Sequence, residues 1–287
     1  MRLFVSDLDG TLLNEKFAIS DENIKALNFA NSKGVQLVIA SGRIYKDVLS
    51  ICERYSLKPH IISNNGACVY SMNGELIYCN SILRDHVEKI LNFLNELGVC
   101  WQIATSDYLY ILDTWEKLLE DEYYCLKKQG ITISEYTLNH AKNEMLSQVG
   151  IKKINSYKEY FKDNKVCFSV SIVSFSDKKR EKITKYINEI SGLTTMPSGK
   201  YTQEIMRNGS SKGDTLMHLA ALLDIPMDEI IAIGDNLNDK TMIRNAGIGI
   251  AVENADDNLK EVSDFITKSN KENGVAYAIY KFIDKEN

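Results

Sequence analysis

Three short apolar runs, each closing on a polar loop, constrain the fold of this chain more than any other feature. "RLFVS" gives way to Asp7-Leu8-Asp9-Gly10-Thr11, "VQLVIA" to Ser41-Gly42-Arg43, and "EIIAI" to Gly234-Asp235. Each run has strand length without apolar–polar alternation, the pattern of a strand buried on both faces. Helical spacing follows each loop. "ISDENIKALNFANSKG" offers Ser20 as an N-cap, Ile24, Leu27 and Ala30 on one face, and Gly34 as a stop. "IYKDVLSICERYSL" reads as a second helix and "HIISNNGACVY" as a strand turning through Asn64-Asn65-Gly66. Near the other end, "SSKGDTLMHLAALLDI" places Leu216, Leu219, Ala220 and Leu223 on one helical face, and "IGIAV" reads as a further strand. Strands alternating with helices in this way predict parallel βαβ units, an α/β class with a doubly wound, Rossmann-like parallel sheet.

The middle of the chain has a different grammar. "VEKILNFLNELG" is an amphipathic helix, "VCWQIATSD" with "YLYILD" reads as a hairpin, and "KVCFSVSIVSF" alternates apolar and polar positions. Ser176 is the expected N-cap of "DKKREKITKYINEIS". Alternation predicts an antiparallel sheet with helices on one side. The segment 83–190 is therefore expected to be an α+β domain inserted into a core formed by 1–82 and 191–287. Trp101, Tyr108, Tyr110, Trp115, Tyr123 and Tyr124 read as packing for that small sheet. Lys127-Lys128, Lys152-Lys153 and Lys178-Lys179-Arg180 read as solvated helix faces.

Charge and cysteine content narrow the function classes. A net charge of −5 without a basic stripe argues against a nucleic-acid partner. The six cysteines form no C-x-x-C pair, so they read as buried apolar residues of a reducing compartment. The apolar start is cut at once by Asp7 and Asp9, unlike a signal peptide, and no run is long enough to span a bilayer. The expected setting is cytoplasmic, with no membrane partner.

In open α/β sheets, ligands bind beyond the carboxyl ends of the strands. That rule brings Asp7, Asp9, Ser41, Gly42 and Asp235 to one edge, although they lie far apart in sequence. Carboxylates gathered in this way repel unless a cation joins them, and oxygen ligands with room for water suit Mg²⁺. On a strand-like run the spacing of two would turn Asp7 and Asp9 the same way. Lys212 opens a late helix, where free amides and the helix dipole favour an anion. With Ser41 and Gly42 it makes a phosphate pocket. Carboxylate, cation and phosphate pocket together point to phosphoryl transfer with a carboxylate nucleophile. Taken singly, Ser41-Gly42-Arg43 would be a helix cap and Lys212 a surface lysine. Their place after the strands changes the reading. The dispersed histidines have no part in this chemistry, and Asn64-Asn65-Gly66 reads as a hairpin turn.

D-x-D-G-T after one strand, S-G-R after the next, a lysine opening a late helix and G-D-x-x-N-D resemble the haloacid dehalogenase superfamily. "IISNNGA", "EIMRNGSSKGDTL" and "IAIGDNLNDKTMI" resemble its Cof-type, class IIB phosphatases, in order and nearly end to end. Val252 and Arg207 stand where family members often have Met and Pro, and neither departure touches the chemistry that the resemblance implies. The resemblance implies that Asp7 is the nucleophile, forming an aspartyl phosphate, and that Asp9 is general acid and then general base. It implies Mg²⁺ held by Asp7, the Asp9 carbonyl and Asp235. Ser41, Gly42, Lys212, Asn238 and the Leu8 amide would hold phosphoryl oxygens, with Asp239 behind them orienting Lys212 or a metal-bound water. The inserted domain would close over the site as a cap. The expected activity is Mg²⁺-dependent hydrolysis of a small phosphorylated metabolite: a sugar phosphate, phosphorylated cofactor or nucleotide. The alternatives are a sugar phosphomutase and a catalytically silent metabolite-binding module. The expected assembly is a monomer or small homo-oligomer.

Overall fold

The computed structural model describes residues 1–283 and divides into two compact units. One comprises Met1–Cys79 with the segment from Gly209 onward, the other Asn80–Asn208. The last four residues of the core segment predicted over 191–287 lie outside the described residues.

The first unit begins with β1 (Leu3–Ser6), α1 (Asp21–Ser32), β2 (Gln36–Ala40), α2 (Tyr45–Arg54), β3 (His60–Ser63), β4 (Cys68–Tyr70) and β5 (Leu76–Cys79). The second unit contains α3 (Arg84–Glu96), β6 (Cys100–Ala104), β7 (Leu109–Leu112), α4 (Trp115–Lys128), α5 (Glu135–Met145) and β8 (Ile151–Ile154). It continues with α6 (Tyr157–Lys162), β9 (Ser169–Val173), α7 (Asp177–Asn188), β10 (Leu193–Pro197) and β11 (Thr202–Arg207). The first unit resumes with α8 (Lys212–Leu222), β12 (Ile230–Gly234), α9 (Lys240–Asn245), β13 (Ile248–Ala251), α10 (Asp257–Lys260), β14 (Phe265–Ile266) and α11 (Gly274–Ile283).

The sheet of the first unit has the order β14-β13-β12-β1-β2-β3-β4-β5. From β14 to β3 all neighbours are parallel, and β4 and β5 add antiparallel pairs at one edge. β1 and β12 are buried along their whole length, as their unbroken apolar runs require. The chain leaves β1 toward β2 on one side and returns through β12 on the other, so the strand order reverses at β1. Such a reversal opens a crevice at the carboxyl ends of the two flanking strands. Ser20 caps α1 by accepting from the Asn23 amide at 3.2 Å, and α1 packs against α11 while α8 packs against α9.

The second unit carries a mixed sheet in the order β10-β11-β9-β6-β7-β8, antiparallel except for β7 with β8. Two features differ from the sequence reading. The insertion runs to Asn208 rather than to 190, because β10 and β11 pair with each other and β11 with β9. Helices also cover both faces of the sheet. Trp101, Ile103, Tyr110, Val170 and Ile172 pack with α3 and α7 on one face. Cys100, Ile111 and Val173 pack with Trp115, Leu119 and Tyr123 of α4 and Met145 of α5 on the other. Trp101, Tyr110, Trp115 and Tyr123 are thus core residues, whereas Tyr124 is exposed.

Candidate active site

The carboxyl ends of β1 and β12 are joined by the Asp7 amide, which donates to the Ile233 carbonyl at 2.9 Å. β1 stops at Ser6, and Leu8–Leu12 winds into a turn in which Gly10 adopts φ +77°. A Cβ on Gly10 would stand 2.4 Å from Asp235 Oδ2, so this position admits the Asp235 carboxylate only because it is glycine. Thr11 Oγ1 donates to Asp235 Oδ1 at 2.7 Å. Four residues beyond, Asp239 is fully buried; its Oδ2 accepts from the Asp235 and Asn236 amides, both at 3.0 Å. Lys212 reaches in from the first residue of α8 with only 2% of its side chain exposed. Its Nζ lies 2.6 Å from Asp7 Oδ1 and 2.6 Å from Asp239 Oδ1. The helix start itself is occupied: Thr241 Oγ1 takes the Gly213 amide and Ser211 Oγ the Asp214 amide. The lysine ammonium, rather than those amides, is what α8 brings to the site.

One oxygen from each of Asp7, Asp235 and Asp239 lies within 4.8 Å of the others. Burial raises the Asp7 pKa well above the usual carboxylate value; Lys212 opposes this, while Asp239 and Asp235 add to it. Burial and the charge of Asp239 push Asp235 up to about 6, against Thr11, Asp7 and Lys212. Burial works against the Lys212 ammonium, but Asp239 and Asp7 outweigh it and hold its pKa above the ordinary lysine value. With all three carboxylates ionised, one ammonium would leave two negative charges in a largely buried space, which is why the pKa values of Asp7 and Asp235 are raised. Hard oxygen donors with a double negative surplus fit a hard divalent cation. Both Asp239 oxygens are engaged by protein donors, so the carboxylates suited to direct ligation are those of Asp7 and Asp235.

The β2 loop supplies a second group. Ser41 is buried, and its Oγ accepts from the Arg43 amide at 3.2 Å, which leaves the hydroxyl proton to donate elsewhere. The Asn65 amide donates to the Ser41 carbonyl at 3.1 Å. A Cβ on Gly42 would lie 3.1 Å from the Asn65 side-chain amide. Asn238 Nδ2 donates to Asn65 Oδ1 at 2.9 Å, while Asn238 Oδ1 is buried and unpartnered. The Leu8 side chain is fully buried, so only the backbone of Leu8 is available to a ligand.

Asp9 departs from the strand-like expectation. The chain turns after Asp7, so the two carboxylates have different surroundings: the Asp7 side chain is 7% exposed and that of Asp9 45%. Arg43 Nε and Nη2 hold Asp9 Oδ2 and Oδ1 at 2.7 and 2.6 Å, and Arg43 Nη1 holds Asp47 Oδ2 at 2.6 Å. Arg43, Thr11 and Asn65 are the site neighbours that sequence reasoning left out. The first two lie inside the D-x-D-G-T and S-G-R motifs. Asn65 follows β3, where the strand-end rule that found Ser41 also applies.

The chain matches the model of the haloacid dehalogenase-like hydrolase family over residues 4–279. It is 34% identical to the phosphatase YwpJ of Bacillus subtilis over 279 residues, 96% of this chain and 98% of that one. It is 33% identical to the 5-amino-6-(5-phospho-D-ribitylamino)uracil phosphatase YwtE of the same organism, with 97% of each covered. Among solved structures, a haloacid dehalogenase-like hydrolase from B. subtilis superposes with a TM-score of 0.83 at 33% identity, covering 98% of this chain and all of the other.

Proposed function

Because the chain belongs to the haloacid dehalogenase-like hydrolase family and is a phosphatase of phosphoric monoesters, we propose that it hydrolyses a small phosphorylated metabolite with Mg²⁺ and an aspartyl-phosphate intermediate on Asp7. The observation that carries this reading is the buried group of three carboxylates and one ammonium at the strand-order reversal. Mg²⁺ held by Asp7, Asp235 and the Asp9 carbonyl would supply the missing positive charge, so that an anionic phosphate can approach the Asp7 carboxylate.

An oxygen of Asp7 attacks phosphorus, and the new O–P bond forms as the ester P–O bond breaks. Lys212 orients the Asp7 carboxylate and is itself held by Asp239. Ser41, Gly42, Asn238 and the Leu8 amide hydrogen-bond the phosphoryl oxygens. Asp9 gives a proton to the leaving oxygen. It then takes one from the water that attacks the aspartyl phosphate, so that Asp7 is returned and inorganic phosphate leaves. The substrate class is a small phosphomonoester: a sugar phosphate, a phosphorylated cofactor, a nucleotide, or the phosphoribitylaminouracil ester for which the relative YwtE is named.

The test is a phosphate-release screen over these esters with Mg²⁺, run beside Asp7→Asn. Release by the wild type and its loss in Asp7→Asn are expected. Release undiminished in the variant, or isomerisation of a sugar phosphate with no free phosphate, would overturn the proposal.

A further inference from the structure

Arg43 belongs to the S-G-R loop, yet it neither touches the carboxylate group around Lys212 nor lies idle on the surface. Its guanidinium is held on two sides. Toward the site it grips both oxygens of Asp9, and behind it Nη1 meets Asp47, whose side chain is 4% exposed. The Arg43 side chain is itself only 12% exposed. Its backbone is fixed as well, since its carbonyl accepts from the Asn64 amide at 3.0 Å and its amide donates to Ser41 Oγ. A guanidinium anchored at three points presents its remaining edge in one plane, and a carboxylate paired bidentately with that edge is fixed in direction and twist. Without it, Asp9 would be a half-exposed side chain with several rotamers open to it.

We propose that Arg43 is a positioning residue for Asp9, with Asp47 setting the plane of the guanidinium. The inference rests on the hydrolase reading above, in which Asp9 delivers the proton to the leaving oxygen. Proton delivery depends on placing the carboxyl within hydrogen-bond reach of that oxygen. Arg43 thus narrows the positions Asp9 samples, while Asp7 and Lys212 hold the attacking group separately. A consequence specific to this role follows from leaving-group chemistry. An alkoxide is a poor leaving group and needs the proton, whereas 4-nitrophenolate leaves without one.

The experiment compares 4-nitrophenyl phosphate with the best alkyl phosphomonoester from the screen, in the wild type, Arg43→Gln, Arg43→Lys and Asp47→Asn. General acid catalysis contributes about 10²–10⁴ to a rate, so loosened placement of the acid is expected to lower kcat for the alkyl ester about 30-fold or more in Arg43→Gln. The 4-nitrophenyl rate is expected to fall at least tenfold less than the alkyl rate. Arg43→Lys keeps the charge without the planar fork and is expected to show the same selective loss, and Asp47→Asn a smaller one. Inhibition by inorganic phosphate reports whether the phosphate pocket is intact and is expected to change little. In an Asp9→Asn background the substitution at Arg43 is expected to add nothing further to the leaving-group dependence. Parallel losses on both esters, full rescue by lysine, or additivity with Asp9→Asn would overturn the proposal. If the wild type releases phosphate from neither ester, the hydrolase reading fails instead, and the two failures are thereby distinguished.

Discussion

Replacing Lys212 with methionine tests the charge balance of the site most directly. Methionine keeps an unbranched apolar stem but removes the ammonium that stands 2.6 Å from both Asp7 and Asp239. The lysine side chain is 2% exposed, so water cannot readily take its place. Removing one partner from a buried charged pair costs about 3–5 kcal/mol, because the remaining charge is left uncompensated. Two circumstances favour the lower end here. Asp239 keeps its two backbone amides, and Asp7 can shed its charge by binding a proton. A loss of about 3 kcal/mol lowers Tm by about 6–12 °C for a cooperative unit of this size. The pH dependence follows from the raised Asp7 pKa, whose principal opposing neighbour the substitution removes. The folded variant then holds a proton that the unfolded chain releases near pH ~4, so its stability falls as pH rises toward the still higher folded value. The gap between wild type and variant should therefore widen as pH rises past the already raised wild-type Asp7 value toward the still higher one of the variant. Thermal unfolding in the presence of a chelator measures it. Equal Tm values at the higher pH, or a gap that closes as pH rises, would refute the reasoning.

The same electrostatics give four further expectations. Gly10→Ala places a methyl 2.4 Å from Asp235 Oδ2 at a left-handed φ, which costs about 1–2 kcal/mol in backbone strain alone; the Mg²⁺ concentration for half-maximal activity should rise about tenfold, and an unchanged metal titration would contradict it. Asp235, at about 6 in the folded state, lends stability that is full below its unfolded pKa near ~3.9 and is lost as pH rises through ~6. That component of the Tm–pH profile should vanish in Asp235→Asn. Adding Mg²⁺ at about 100 times its Kd should stabilise the protein by about 2.7 kcal/mol and raise Tm by several degrees, an effect reduced in Asp7→Asn. Asn65→Ala removes the Asn238 partner at a residue with φ 51°; inhibition by inorganic phosphate should weaken about tenfold, roughly 1.4 kcal/mol, and Asn65→Gly separates the lost hydrogen bond from backbone strain.

The core was legible because its signal is local. Strands buried on both faces must be apolar throughout, and the loops at their carboxyl ends must lie near the strand-order reversal, so Asp7, Ser41 and Asp235 could be placed without knowing any contact. The inserted unit was less legible because its decisive pairings are distant. "LTTMP" and "TQEIMR" are short segments of mixed polarity, and nothing within them shows that β11 pairs with β9 through Gln203 and Ile172 rather than returning to the core. Likewise, Cys100, Ile111 and Val173 are single apolar residues on what reads locally as a polar face. Only the packing of α4 and α5 against them reveals a second core. The Asp9–Arg43 pair spans 34 residues and depends on the turn at Leu8–Leu12, which a strand-like extrapolation from β1 misses.

That turn also explains how two aspartates separated by one residue acquire different chemistry. Had the strand continued, Asp7 and Asp9 would share one environment and compete for the same cation. Instead each meets a different one, and the geometry of the cation matters as much as its charge. Lys212 is a point charge that engages Asp7 at Oδ1, so it can hold the carboxylate without covering both oxygens. Arg43 is a planar fork that covers both oxygens of Asp9. A nucleophile needs an oxygen that is not committed to a cation, and Asp7 meets that condition more readily than Asp9. In the proposed reaction Asp9 passes a proton in a set direction, and the fixed plane that Arg43 and Asp47 provide sets that direction, while the same pairing favours the carboxylate that takes a proton from water. Burial strengthens the distinction: Asp7, nearly enclosed, is poorly stabilised as a lone anion and is suited to a site completed by a divalent cation, while Asp9, half open, keeps access to the water whose proton it would take in the proposed hydrolysis.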